Sequence, residues 1–545
     1  MKNIYKILII VPLVLACSED LLDLEPKMQP LVENYYKDED DALATLTSCY
    51  GMLTWMEFFG VIDEGVGQYF MLIEGPSDDA NTENSKYSSL AFTAADVDVD
   101  GMFMICFNGI HRCNKLLEVL PDIEMSSDLK NRITGEAKFL RGLYYWFVVT
   151  MWGDMPIFDR VQEPPDLREL VRRPEADVWD FIEENLLDAI ELLPVSYSDS
   201  DLGRATKGAA QGLLGKCYLY EGQYEDAARM FETVIQSGNY ALVKYPDEYH
   251  KDSAAYKNAF QSIFMPEAFK GYKITDDRPA IGGENNIESL FEVQLNNYVA
   301  PFDGGPWLGW GNTGSHRPLF LNAKNLLNGY ANVYPTHSLV DEFEPGPLGM
   351  LKDPRKYATV WDVGDTLEYR EENSSRSTYL RAYTTNLSPD QGYLIKKTVY
   401  PLYYGTDITV AEYNWSLLRY GDILLMYAEA LDNGATSNIG ETPVTLINQV
   451  RERVGMPDVS QLMAEKGWNT TDAIIHERRV ELAYECDRFR DLVRWHKNGY
   501  LAKKTFGKVI TDYISHFEVG INEYFPIPIK EIVLTEGSLT QNNGY

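Results

Sequence analysis

The sequence predicts a mainly α chain of stacked helix pairs with long irregular loop insertions and little β, and three observations carry that prediction. Ile133, Ala137, Leu140, Tyr144, Val148 and Met151 recur every three or four residues, which draws one apolar stripe down a helix. Between Gln211 and Val234, Leu214, Gly215, Tyr218, Gly222, Tyr224, Ala227 and Phe231 fall on the offsets of a tetratricopeptide unit. From about residue 240 to 414 the helical period disappears, and Gly, Pro, Asn and aromatics take over.

The chain opens with a targeting segment, residues 1–16. Lys2 and Lys6 precede an apolar run from Ile7 to Ala16, too short to span a bilayer as a stable helix. Val14-Leu15-Ala16-Cys17 resembles a bacterial lipobox, which implies that Cys17 is lipidated and becomes the mature N-terminus. Several acyl chains, at about 0.8 kcal/mol per buried methylene, hold a protein to a membrane durably. Ser18-Glu19-Asp20 follows, an acidic patch that resembles the surface-export signal of Bacteroidetes lipoproteins.

Helical period fills two blocks, about 38–237 and about 415–500. In the first, Trp152-Gly153-Asp154-Met155-Pro156 stops the striped helix with Gly and Pro in the expected places. In the repeat unit, Gly215 and Ala227 are small where two helices cross, Gly222 ends the first helix, and Tyr218 and Phe231 fill the groove. One such unit buries too little alone, so 137–152 and 420–454 are its predicted neighbours. In the second block Leu417, Leu424, Ala428 and Leu431 form a stripe that Asn433-Gly434 ends. Glu477, Arg478, Arg479 and Glu481, continued by Asp487, Arg488, Arg490 and Asp491, read as a charged helix whose groups pair at three- and four-residue spacing.

Composition narrows the function. Lys and Arg total 49 against 82 Asp and Glu, a formal charge of −33 that repels phosphate backbones and argues against nucleic-acid binding. Thirty-six Tyr and ten Trp supply flat faces with polar edges, most of them for core and interfaces. Beyond Cys17 the cysteines are Cys49, Cys106, Cys113, Cys217 and Cys486, an odd number that rules out a full disulfide framework. Cys106 and Cys113, seven apart on one helix, lie about 10 Å apart along its axis, beyond disulfide reach.

Six blocks resemble the SusD/RagB family of Bacteroidetes outer-membrane lipoproteins over nearly the whole mature chain. They are Cys17 to Asp23 with Glu25-Pro26; Asp40 to Leu43 leading to Cys49-Tyr50-Gly51; Ile110 to Asn114; and Glu136 to Gly142 through Trp152 to Pro156. The last two are Glu477 to Leu482 through Asp487 to Trp495, and Tyr524 to Pro528 closing with Gln541 to Tyr545. The resemblance implies one domain over 17–545, a tetratricopeptide scaffold with an irregular ligand face at about 240–414. It also implies a SusC-like TonB-dependent transporter barrel as partner, an oligosaccharide ligand, and anchorage in the outer membrane facing outside. Peptide capture on the same architecture, or a surface glycoside hydrolase, are the alternative readings. The family's binding residues follow no motif, so none is carried over.

Sugar capture needs aromatic faces for the rings, with amides and carboxylates for the hydroxyls. Residues 298–316 combine Tyr298, Asp303, Trp307, Trp310 and Asn312 with five glycines, where a Trp has few neighbours to bury it. Tyr69, Asn81 and Trp361 complete the candidate set. Asp96-Val97-Asp98-Val99-Asp100-Gly101 matches half a calcium loop, but Phe107 stands where a bidentate Glu belongs, so Asp100 reads as a helix cap. Gly212 to Lys216 is too short for a phosphate loop, His476-Glu477 lacks a second His, and the seven His show no metal spacing. The sequence therefore calls for a binding protein without catalytic residues, metal or cofactor.

Overall fold

The computed structural model describes residues 36–57, 69–162, 170–198, 201–245, 252–264, 282–295, 332–363, 365–371, 378–382, 392–397, 402–404 and 413–545. Cys17 and the segment before it lie outside these residues.

The frame is a procession of helices. α1 (Glu39–Thr54), α2 (Val97–Val119), α3 (Ser127–Trp152), α4 (Glu175–Leu192), α5 (Lys207–Glu221) and α6 (Tyr224–Gln236) each pack on the next. α6 then packs directly on α7 (Tyr420–Asp432), which packs on α8 (Pro443–Arg453). The stack therefore passes straight over residues 240–414, as repeat units built from nearest-neighbour contacts allow. α9 (Thr470–Leu482) lies against α7 and α8, and α10 (Arg488–Lys497) follows.

Local chemistry sets the helix ends. Ser126 and Thr206 accept from the Leu129 and Ala209 amides at the starts of α3 and α5. Gly222, at φ +77°, closes α5 in the left-handed conformation that favours glycine. All six stripe residues of α3 are fully buried. Ala227 and Phe231 are also fully buried, while Tyr218 is only partly covered. A Cβ on Gly215 would stand 2.6 Å from the Phe231 ring, so the α5–α6 crossing depends on glycine there. Gly215→Leu is expected to lose about 2–3 kcal/mol in chemical denaturation, an overpacking penalty larger than the helix-propensity gain of about 1 kcal/mol.

Two expectations are corrected. The charged segment is not one helix: α9 ends at Leu482, and Tyr484 (φ +66°) and Cys486 (φ +70°) turn the chain before α10 begins. α2 begins at Val97 with Asp96, not Asp100, at its N-cap. Asp98 is drawn instead to Lys86 and the Tyr87 hydroxyl, and Asp100 to Lys530. Cys49, Cys106, Cys113, Cys217 and Cys486 are buried free thiols.

Between α6 and α7 the described chain makes short helices and strands, which pair with one another or, in one case, with a strand that precedes α2. β1 (Ala80–Thr82) pairs antiparallel with β3 (Val333–Pro335), and β2 (Ser289–Val293) with β9 (Trp415–Arg419). β4 (Val360–Asp362) pairs antiparallel with β7 (Tyr393–Ile395), and β5 (Thr366–Glu371) lies between β6 (Thr378–Ala382) and β8 (Leu402–Tyr404).

Candidate functional site

Charged side chains of α9 and α10 bolt the irregular segment to the frame. Glu481, fully buried, accepts from Arg453 at 2.6 Å, Arg419 at 2.7 Å and Arg355 at 3.1 Å. Burial alone would raise its pKa, but the three guanidinium groups outweigh it and hold the carboxyl well below the usual range. Glu477 takes Arg355 and Arg451, and Glu288 takes Arg419 and Arg453. Lys397 donates to Glu485, which also accepts from Arg419 at 2.6 Å. Arg488 grips both oxygens of Asp78 at 2.7 and 2.9 Å, and Arg479 donates to Asp79 at 2.6 Å. Segments far apart in sequence are thus fixed to one hub. Of the groups expected to pair at three- and four-residue spacing, Asp491 does so with Arg494, a residue outside that set, and the partners named above come from other elements.

His476 belongs to the same hub. Its Nδ1 lies 2.7 Å from Glu342 and its Nε2 2.9 Å from Glu344, so both nitrogens donate and the ring is an imidazolium. Burial opposes that charge, but the two carboxylates overcome it and raise the His476 pKa to about 9. Burial likewise opposes the carboxylates, and the His476 contact brings Glu342 and Glu344 down to about 2. Glu344, His476 and Glu477 have ligand atoms within 4.8 Å of one another, a metal-like spacing. Arg451 and Arg355 already occupy those carboxylates and both ring nitrogens are protonated, so the cluster is an ion-pair knot. A raised histidine pKa stabilises fully below its unfolded value of about 6.5 and is lost as pH climbs through 9. The depressed carboxylates stabilise above about 4.5 and are lost as pH falls toward 2. The stability gap between the wild type and His476→Gln is therefore expected to peak near pH 5–6, at about 3 kcal/mol, and to close by pH 10 in urea denaturation.

Hung from Asp78 and Asp79, β1 places Asn81 directly across from Tyr334 on β3. Ala80, Thr82, Val333 and Pro335 alternate inward, so Asn81 and Tyr334 share the outer, half-exposed side. β3 also lies against β7, whose Tyr393 is half-exposed. The exposed His337 meets Tyr393 edge to face at 5.2 Å. Thr336 caps the helix His337–Glu342 and donates to the Asp78 carbonyl at 2.9 Å, which locks this helix to β1. Two neighbouring pairs result, Asn81 with Tyr334 and His337 with Tyr393, which offer two phenols, an imidazole and an amide at the surface. They can stack a flat apolar ring face and hydrogen-bond to hydroxyls.

Asn81 is the described candidate that belongs to these pairs. Tyr69 is corrected: it is fully buried, 5.2 Å from Phe147 and 5.0 Å from Trp415, because its helix Tyr69–Glu74 is packed into the core. Trp361 is corrected too, being 3% exposed on the inner side of β4, with Lys396 4.4 Å from its ring. Tyr298, Asp303, Trp307, Trp310 and Asn312 lie outside the described residues. Tyr334, His337 and Tyr393 escaped the sequence reading; the only signal was aromatic residues in short stretches of extended character. A separate groove of about 620 Å³ runs between α2 and the helix Ile529–Leu534. Its wall mixes apolar surface from Phe103, Met104 and Phe107 with polar groups from Asn108, His111 and Gln162.

Comparison with known proteins places this architecture. Residues 310–545 match the SusD family, and residues 71–219 match a family described as starch-binding associating with outer membrane. The chain belongs to the SusD/RagB family. A SusD-like protein of Bacteroides ovatus is 26% identical to this SusD-family chain, over 90% of the chain and 81% of the relative. A SusD-like protein from Bacteroides fragilis has the same fold at TM-score 0.70, 25% identical, covering 95% of this chain and 100% of that one. A laminarin binding SusD-like protein superposes at TM-score 0.67, 26% identical, covering 94% and 100%. The tetratricopeptide-like scaffold is thus the SusD fold.

Proposed function

We propose that the protein is a cell-surface lipoprotein that captures oligosaccharides and passes them, without cleaving them, to a TonB-dependent outer-membrane transporter. The observation that carries the reading is the likeness in fold and sequence to a protein that binds laminarin, over nearly all of both chains. The pairs of Asn81 with Tyr334 and His337 with Tyr393 support it, since phenol rings and amide groups suit sugar rings and hydroxyls. Connectivity supports it as well. The stretch bearing Trp307, Trp310, Tyr298, Asp303 and Asn312 runs between β2 and β3, and so re-enters the described chain two residues before Tyr334. In this reading Cys17 carries the lipid that ties the chain to the outer membrane, and the frame of α1–α8 leaves the irregular face free to take ligand.

Isothermal titration with laminarin- and starch-derived oligosaccharides, beside an assay for new reducing ends, tests it. Heat of binding with no release of reducing ends is expected. Steady release by the purified chain would make it a hydrolase, and heat from peptides alone would move the ligand class. Tyr393→Ala is expected to weaken oligosaccharide binding by about 1 kcal/mol, the stacking contribution of one ring, with the melting temperature unchanged.

A further inference from the structure

Every buried arginine of the described residues but one has an acceptor: carboxylates for most, and Asn114, Asn185 and the Asp159 carbonyl for Arg141. Arg490 on α10 is the exception. It is 5% exposed, and its Nε and Nη2 meet no hydrogen-bond partner. Aromatic rings surround it instead, with Trp146 at 4.2 Å, Tyr69 at 4.9 Å and Phe147 at 5.4 Å from the guanidinium carbon. Burial pushes its pKa well below the ordinary value, and nothing offsets that burial. Ring faces attract a cation, but they do not accept its N–H groups as an anion or water does. A buried charge left in this condition is among the costliest arrangements a fold can keep.

Arg490 lines a cavity of about 50 Å³. Tyr220 of α5 lines the same cavity, and its hydroxyl is buried without a partner too. Arg490 and Tyr220, from different helices, thus line one small space. Ile73, Val149 and Phe525 supply apolar wall. The other charged groups at the cavity have partners: Arg494 has Glu429 and Asp491, Glu175 has Lys497 and the Tyr524 hydroxyl, and Glu523 accepts from the Gly520 amide. A water needs about 10–15 Å³ of such space, so there is room for one small ion with a few waters.

We propose that this cavity binds a single monovalent inorganic anion of halide size, held by the Arg490 guanidinium and the Tyr220 hydroxyl. The ion is a structural ligand of the α5–α10 junction, and its binding stabilises the native chain by mass action. The site is independent of the sugar face.

Bromide is the probe. Crystals of the mature chain grown in sodium bromide are expected to show an anomalous bromine peak in the cavity, in contact with Arg490 and Tyr220. The melting temperature is expected to rise as bromide replaces gluconate, a bulky and strongly hydrated anion, at constant ionic strength. Arg490→Met should abolish both effects, and Tyr220→Phe should weaken the apparent bromide affinity about tenfold, the loss of one hydrogen bond to a charged group. Water alone in the cavity with no anomalous signal, or a peak that persists in Arg490→Met, would overturn the proposal. Should Arg490→Met fail to fold, the wild-type diffraction and Tyr220→Phe still decide.

Discussion

Glu481→Ala is expected to cost about 3–5 kcal/mol, a third or more of the stability of an ordinary domain. Glu481 sits where three buried arginines converge, so its removal leaves charge behind rather than a hole. Arg355 keeps Asp353 and Glu477, and Arg419 keeps Glu288 and Glu485. Arg453 retains only Glu288 and suffers most. Glu481→Gln should lose nearly as much, since the amide offers acceptance without charge. The surface change Glu118→Ala, at a half-exposed ion pair with Lys115, should stay within about 0.5 kcal/mol. Urea denaturation at pH 7 measures all three. Equal small losses for Glu481→Ala and Glu118→Ala would mean that the hub does not hold the irregular segment down.

The double change Trp307→Ala/Trp310→Ala is expected to weaken oligosaccharide binding by about 2–4 kcal/mol, roughly 30- to 1,000-fold. A sugar face lying on an indole removes on the order of 50–80 Å² of apolar ring from water, which gives about 1–2 kcal/mol per ring at about 25 cal/mol per Å². Both residues stand in the glycine-rich stretch that precedes β3 in the chain. Calorimetric titration of the double variant checks this, with the melting temperature as a control for folding. Unchanged affinity would remove both rings from the site and leave Tyr334, His337 and Tyr393 to carry it.

What could be read from sequence was whatever obeys a local period. The α3 stripe, the Gly222 stop and the small-residue crossing at Gly215 are set by neighbours within a turn or two, and the structure holds them as read. The hub was legible only as a dense run of charge. Arg479 reaches Asp79 across 400 positions and Arg419 reaches Glu288 across 131, distances at which spacing carries no information. The turn between α9 and α10 also left no mark, because Tyr484 and Cys486 take left-handed backbone where no glycine announces it. Tyr69 and Trp361 show the other limit. An aromatic residue beside an irregular stretch looks the same in sequence whether it faces solvent or the core, and packing decides.

The central claim is that an uncleaved oligosaccharide rests on the outer side of β1, β3 and β7. A crystal structure of the protein grown with a laminarin-derived oligosaccharide tests it most directly. The account predicts an intact sugar chain with one ring against Tyr334 or Tyr393 and hydroxyls within hydrogen-bonding reach of Asn81. Sugar bound elsewhere, as in the groove between α2 and Ile529–Leu534, or cleaved in the crystal, would contradict it.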